Sequence, residues 1–434
     1  MTASVLDCIS LSYQPLWGRR RTLAGLALFA RPLPNPPLPG PIDARELLQA
    51  LGERMPSDGP PLFLVPQTEA LLLDLLAAVE PPATRTDPTT APRLASHDTP
   101  AATPTLVVPS TLLQDNPLVA TGTRLAYQRG LRLVWQGSAD APPPESIRGS
   151  FHRYWLNLPA PWAAAALKDA TRKASVGQQL GPGRLPPGHI YGGIESRVLM
   201  EYCLDRCNAL ALAGWPGEDV VYSLRHQAMQ PSHAVTMATL KALEGDRSAE
   251  TVERILSEDP LLVYRFLIYA NSPALGLRNA IESVRHGMMM LGIDTLRTWL
   301  GQQVPHASRE TALRPVNAQL VLRARLMDRL LDAGIEEALR REVSLCGLFS
   351  GLDLLLNEPL TVLLQRIRLS RRVQDAAVLQ DGPYGPSLEV TLALESADPS
   401  VVQAICDKHE MEPGRVNRAL LDVLAEVDTD GPTI

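Results

Sequence analysis

The chain has 434 residues, 45% of them hydrophobic, and a formal net charge of −6, so it is too long for one ordinary domain, and two or three of ~100–200 residues are expected. Five scattered cysteines without a CxxC pair argue against a disulfide framework or a structural zinc site and suit a reducing cytosol. The acidic balance argues against a nucleic-acid partner, and the longest apolar run, 23–30, is far short of the ~20 residues of a membrane helix. The start, MTASVLDCIS, lacks the basic and apolar regions of a signal peptide. A soluble cytoplasmic protein without membrane insertion is therefore expected.

Proline divides the chain, because residues 1–190 hold 27 of the 39 prolines. Proline removes a backbone donor and is excluded from helix interiors, so the first half must be short elements joined by many turns. Short apolar runs recur there at 9–16, 23–29, 62–65, 105–108, 131–135, 154–158, 189–192 and 210–213. Helical patterns at 44–54, 68–79, 116–129, 162–173 and 195–209 alternate with them. That alternation predicts βα units and a mostly parallel sheet. Eight strands suit a closed barrel, yet roughly 220 residues is lean against the ~250 of a (β/α)₈ barrel. Some helices should be shortened or missing. The stretches 32–41 and 80–104 lack the apolar content to pack and read as loops.

The second half reads as helix after helix. Ser248 caps a start, with Glu250 in the first turn and Val252, Ile255 and Leu256 on one face. Asp259-Pro260 repeats the signal before 261–270. Asn271-Ser272-Pro273 ends that helix, and the Asn271 amide is suited to satisfy free carbonyls or amides there. Ile281, Val284, Met288 and Leu291 form the next stripe, closed by Gly292. Asp294 then caps a helix carrying Leu296, Trp299 and Leu300. The predicted organisation is an α/β half over 1–222 and an all-α half over 223–434.

The segments DPLLVYRFLIYANSPALGLR (259–278), IESVRHGMMMLG (281–292) and LRTWL (296–300) resemble the HDOD family over roughly residues 225–400. Asp259, Pro260, Asn271, Ser272, Pro273, Gly276, Ser283, Leu291, Gly292 and Trp299 carry that pattern, in structural or docking roles. HDOD domains are similar to metal-dependent phosphohydrolases in which a His-Asp pair on a helix holds the metal. The resemblance puts that dyad at Ser350-Gly351, and neither residue replaces an imidazole or a carboxylate. His97-Asp98 lies in the 80–104 loop and reads as coincidence. His226, His233 and His286 have no carboxylate at helical spacing and read as core or surface histidines.

In the first half, YQPL (13–16) followed by GLALFAR (25–31) is similar to the opening of EAL domains, the barrel phosphodiesterases of cyclic di-GMP. GIES (193–196) resembles their Gly-Val-Glu-Thr strand end, and several bacterial signalling proteins place an EAL-type half before an HDOD half. Active EAL domains hold two metal ions on acidic residues at strand ends. By this resemblance Ala27 replaces the first Glu, Gln136 and Gly137 replace paired aspartates, and Ala213 replaces a Gln. The strand at 62–66 lacks the expected Asn, 105–110 lacks the Glu, and 154–158 has no lysine. Only Glu195 survives, and one carboxylate cannot hold two Mg²⁺.

Of the remaining features, Cys203 and Cys207 read as core residues. Met288-Met289-Met290 reads as core packing, with an adaptable peptide groove as the alternative. Arg366, Arg368, Arg371 and Arg372 read as a solvated helix end, with an acidic partner or a nucleotide phosphate as the alternative. The expectation is a non-catalytic signalling adaptor without catalytic residues, cofactor or metal, whose partners are other signalling proteins and not small molecules. The competing readings are a cyclic di-GMP phosphodiesterase and a receptor that binds without turnover.

Overall fold

The structure, a computed structural model, describes residues 4–37, 40–56, 58–79, 104–113, 116–172, 181, 184–276, 280–331 and 335–427. Most of the 80–104 stretch, with His97-Asp98, lies outside the described residues. The chain divides into two compact units, Met1–Pro216 with Ala393–Thr429, and Gly217–Leu392 with the C-terminal residues.

In the first unit eight strands close into a barrel in chain order: β1 (Ile9–Trp17), β2 (Leu23–Pro32), β3 (Leu62–Pro66), β4 (Thr105–Pro109), β5 (Leu133–Ser138), β6 (Phe151–Asn157), β7 (Ile190–Gly192) and β8 (Ala211–Ala213). All eight fall on the apolar runs of the sequence. Strands β2 to β8 are parallel, whereas β1 is antiparallel to both of its neighbours. The cause is local. Only a tight turn joins β1 to β2, with the Gly18 amide donating to the Thr22 carbonyl and Arg21 at φ 57°. A parallel crossover needs a dozen residues or more.

The crossovers carry helices Ala44–Arg54, Glu69–Ala78, Pro117–Gln128 and Ala160–Arg172, and one turn only, Glu145–Arg148, between β5 and β6. The expected shortening is seen there. It recurs after β7, where a helix expected over 195–209 is α-helical at Arg197–Glu201 alone and then widens to a π-turn at Tyr202–Arg206. Cys203 and Cys207 on that turn are buried.

The barrel interior is apolar, built from Leu16, Ala27, Phe29, Phe63, Val65, Val107, Val134, Trp155, Ile190, Ala211 and Ala213. It takes alternate residues of each strand, as the two-residue period of a strand requires.

The expected 223–434 half needs correction at its end. Helices Pro399–His409 and Pro413–Ala425 belong to the barrel's unit, packing on β1 and on the turn Val5–Asp7. Asn417 makes that joint. Its amide nitrogen donates to the Leu6 and Ile9 carbonyls (2.8 Å each), and its oxygen accepts from the Leu11 amide at 3.1 Å. Arg418 adds an ion pair to Asp7 at 2.9 Å.

The second unit is all α-helical. Ser248 and Asp259 cap Ala249–Leu256 and Pro260–Ala270 as expected. Two expectations change here. Gly292, not Asp294, occupies the N-cap of Ile293–Gln303, because its φ of 76° lets the chain leave one helix and enter the next in a single residue. Met288 is buried, but Met289 and Met290 are 69% and 50% exposed, so the methionine run is not a core stripe. The arginine patch reads as solvated helix ends, with Arg366 paired to Glu358, Arg372 to Glu342 and Arg371 to Asp375.

Candidate functional site

In a parallel barrel, chemistry belongs to the mouth where the strands end. The side chains there follow from register. Gln14 pairs with Ala27, and Pro109, Gln136 and Trp155 stand level on β4, β5 and β6. Ala27 is wholly buried in the apolar interior, and Ala213 is 7% exposed beside it. One layer up, Phe29 of β2 meets Trp155 of β6 edge to face, with ring centroids 6.2 Å apart. Those strands are four apart in a closed ring of eight, so the two rings reach each other from opposite walls and fill the lumen. The Trp155 indole nitrogen is buried without a hydrogen-bond partner.

The remaining predicted positions are scattered around this plug. Gln136 is half-buried, and Gly137 is buried with no room for a side chain, since an added Cβ would come within 2.4 Å of the Trp135 ring. On β6 Asn157 lies over Gly192, where a Cβ would be 2.3 Å from its Oδ1. Glu195 is exposed in the turn after β7, where Gly193 adopts φ 72° and Ser196 caps the following helix. Asp140, another described carboxylate beyond a strand end, accepts a hydrogen bond from Ser138 at 2.5 Å and is exposed. Asp115 lies outside the described residues. Among the described residues no three His, Cys, Asp or Glu side chains come together as metal ligands. Ala27, Phe29, Gly137 and Trp155 carry no side-chain oxygen, so none of these four supplies the hard oxygen ligand that a Mg²⁺ or Ca²⁺ ion takes.

In the helical unit the predicted motif residues do converge, on structure. Asp259 is wholly buried, and its carboxylate accepts from the Leu262 amide (2.9 Å), the Ser232 amide (2.6 Å) and the Asn317 side chain (3.2 Å). One side chain thus fixes the starts of Pro260–Ala270 and His233–Glu244 and a point on Arg314–Arg329. Burial raises its pKa, against the opposing pull of the amides. Asn271 donates to the Leu267 and Ile281 carbonyls (2.9 and 2.8 Å) and accepts from the Ile281 amide at 2.9 Å, tying the helix end to the next segment. Ser272-Pro273 opens a single 3-10 turn closed by Gly276 at φ 64°, and Ser283 caps Val284–Leu291. Trp299 is buried against Phe266 and stacks on Tyr269 at 5.6 Å. Leu291 ends its helix half-buried.

Ser350 and Gly351 stand at the break between helices Glu337–Phe349 and Leu352–Leu356. The Ser350 hydroxyl donates to the Gly347 carbonyl at 2.8 Å and accepts from Arg323 at 3.3 Å, so a guanidinium fills the space beside it. The reach of Asp259 to Asn317 was not legible in the sequence, since the two are 58 residues apart. The only signal was an acidic residue opening an otherwise apolar helix.

Residues 229–348 match the HDOD domain family, so the helical unit contains an HDOD domain. The cyclic di-GMP phosphodiesterase CdgJ of Vibrio cholerae is 24% identical over 184 residues, 42% of this chain and 43% of that protein. The protein YuxH of Bacillus subtilis is 27% identical over 157 residues, 35% of this chain and 36% of that protein. The chain thus spans less than half the length of the curated relatives it matches. Of solved structures, the MmoQ response regulator of Methylococcus capsulatus aligns at 16% identity with a TM-score of 0.35, covering 44% of this chain and 98% of that one. YkuI of Bacillus subtilis, a protein with an EAL domain solved with its substrate c-di-GMP and calcium, aligns at 14% identity with a TM-score of 0.27, covering 48% and 55%. No described helix is long and apolar enough to cross a membrane.

Proposed function

We propose that this protein is a non-catalytic regulator in cyclic di-GMP signalling, a cytoplasmic adaptor whose HDOD-containing unit docks other signalling proteins. The observation that carries the reading is the contact of Phe29 with Trp155 across the barrel. A phosphodiesterase mouth must hold metal-bound hydroxide in line with a leaving oxygen. Rings from opposite walls occupy that space here, and Ala27, Gln136, Gly137 and Ala213 offer no carboxylate. In the helical unit Ser350-Gly351, with Arg323 beside it, offers neither imidazole nor carboxylate. What remains is a set of buried hydrogen bonds suited to holding helices rigidly for docking.

The similarity to CdgJ favours the second reading, hydrolysis of cyclic di-GMP. The two separate in one experiment. Purified full-length protein is incubated with cyclic di-GMP and Mg²⁺ or Mn²⁺, and no turnover is expected. Multiple turnovers that disappear in Glu195→Ala would establish the enzyme and sink the adaptor. Tight binding by calorimetry without turnover would make the protein a receptor.

A further inference from the structure

The helix Val284–Leu291 carries a face that neither reading uses. Val284, Gly287 and Met288 are buried and hold the helix in its unit. Gly287 leaves no room for a side chain, since an added Cβ would come within 2.7 Å of the Phe266 ring. At about 100° per residue, the face opposite those three holds His286, Met289 and Met290. Their exposure agrees, with Met289 69% and Met290 50% exposed and His286 half-buried. His286 stands three residues before one methionine and four before the other, spacings that bring Cβ atoms about 5–6 Å apart.

Long side chains on a helix lean toward its N-terminus, over the residues three and four positions back. For Met289 and Met290 one such residue is shared, His286. Two thioethers and an imidazole therefore meet on one open patch. We propose that His286, Met289 and Met290 form a surface binding site for the soft monovalent ion Cu(I). Arg285 on the flank of the patch is paired with Glu253 at 3.5 Å, so its positive charge is partly offset. The His286 amide donates to the Ser283 hydroxyl at 3.2 Å, and its ring enters no hydrogen bond or ion pair among the described residues.

Ligand softness picks the metal. Thioether sulfur suits Cu(I) and imidazole is a second good donor to copper, whereas Mg²⁺ and Ca²⁺ take hard oxygen and Zn²⁺ takes thiolate, imidazole or carboxylate. Cysteine thiolates would compete for Cu(I), but all five cysteines are buried, which leaves this face as an open soft site. An apolar docking stripe would need only bulk, which leucine supplies as well as methionine, and an imidazole between the two methionines would weaken it. Sulfur beside imidazole is what a metal selects and an apolar contact does not. Neither the barrel mouth nor a docked partner is needed, so the site stands whichever function holds.

The test uses the full chain under argon with ascorbate, titrated with Cu(I) against bicinchoninate as the competing chelator. One equivalent retained by the protein is expected. In protein labelled at the methionine methyl carbons, two of the ten methionines should shift on adding Cu(I), and Met289→Leu and Met290→Leu should each delete one of those two signals. Loss of an outer-shell partner alone costs about 10–100-fold in metal affinity. Met289→Leu, Met290→Leu and His286→Gln should therefore each weaken binding by about tenfold or more, with the metal-free melting midpoint unchanged because none of the three is buried. Met288→Leu, on the buried face, should bind as the wild type does. Full retention of copper in the Met289→Leu, Met290→Leu double variant would place the ion on cysteine and overturn the site. Shifts confined to other methionine methyls, or no Cu(I) held against the chelator, would overturn it equally.

Discussion

Asn417→Leu tests whether the C-terminal helices are part of the barrel. Asn417 is 1% exposed and makes three hydrogen bonds, two to carbonyls of residues 6 and 9 and one from the amide of residue 11. Leucine fills a similar volume but pairs with none of them. The Leu11 amide then loses its acceptor inside the core, at about 1–3 kcal/mol, while each carbonyl loses one of two acceptor sites at smaller cost. A net loss of about 2–4 kcal/mol is expected, against under ~1 kcal/mol for Arg418→Ala, which breaks only a partly exposed ion pair. Five of the six tryptophans, at 17, 135, 155, 162 and 215, lie in Met1–Pro216, so tryptophan fluorescence during urea unfolding reports on the barrel unit. Removing residues 393–434 should lower the same transition further. A shift below about 0.5 kcal/mol for Asn417→Leu, well under that range, or one seen only in the helical unit, would refute the joint.

Asn271→Leu should destabilise the helical unit by about 1–3 kcal/mol, because it strands both the amide and the carbonyl of buried Ile281; unchanged unfolding with loss of partner capture would assign Asn271 to docking. Stability should also fall with acid through His189. The unfolded ring takes up its proton near 6.5 and the folded ring only near 4, so the unfolded chain binds more protons between those values. The contribution is fully present above about pH 6.5 and is lost as pH falls toward 4. The full linkage would be about 3 kcal/mol; with the ring partly exposed, about 1 kcal/mol is expected. His189→Gln should flatten that slope, and an identical slope in the variant would contradict it.

All eight strands were legible in the sequence because each is a short apolar run between turn residues, a pattern local enough to survive any tertiary arrangement. The helix caps at Ser248 and Asp259 were legible for the same reason. What was not legible depends on which core a helix joins. The stripe of Val416, Leu420, Leu421 and Leu424 says only that Pro413–Ala425 buries a face, not that the face meets β1. Asn417 within that stripe was the available signal, since a buried amide must find partners. The start of β6 was hidden differently: a strand residue counted by simple alternation changes face once a bulge intervenes, and the irregularity at His152, which sets Phe151 opposite Leu133, has no signature in the sequence. Met289 and Met290 fit a helical stripe on paper, but the helix Val284–Leu291 ends at Gly292 before that face meets anything that covers it.

The composition of the barrel interior bears on the adaptor reading as a whole. Carboxylates gathered at a strand-end mouth are stable only while a cation neutralises them, since like charges at close range raise one another's pKa and cost folding energy. Once one ligand is replaced, the affinity for metal falls and the rest become a liability to the fold. Apolar replacement then stabilises, at about 25 cal/mol for each Å² of apolar surface buried. The interior of this barrel has residues such a course would leave: Ala27 and Ala213 at the wall and Phe29 and Trp155 between, with Glu195 and Asp140 exposed beyond the strand ends. A site kept for catalysis would oppose that trend, because its ligands are retained at the expense of stability.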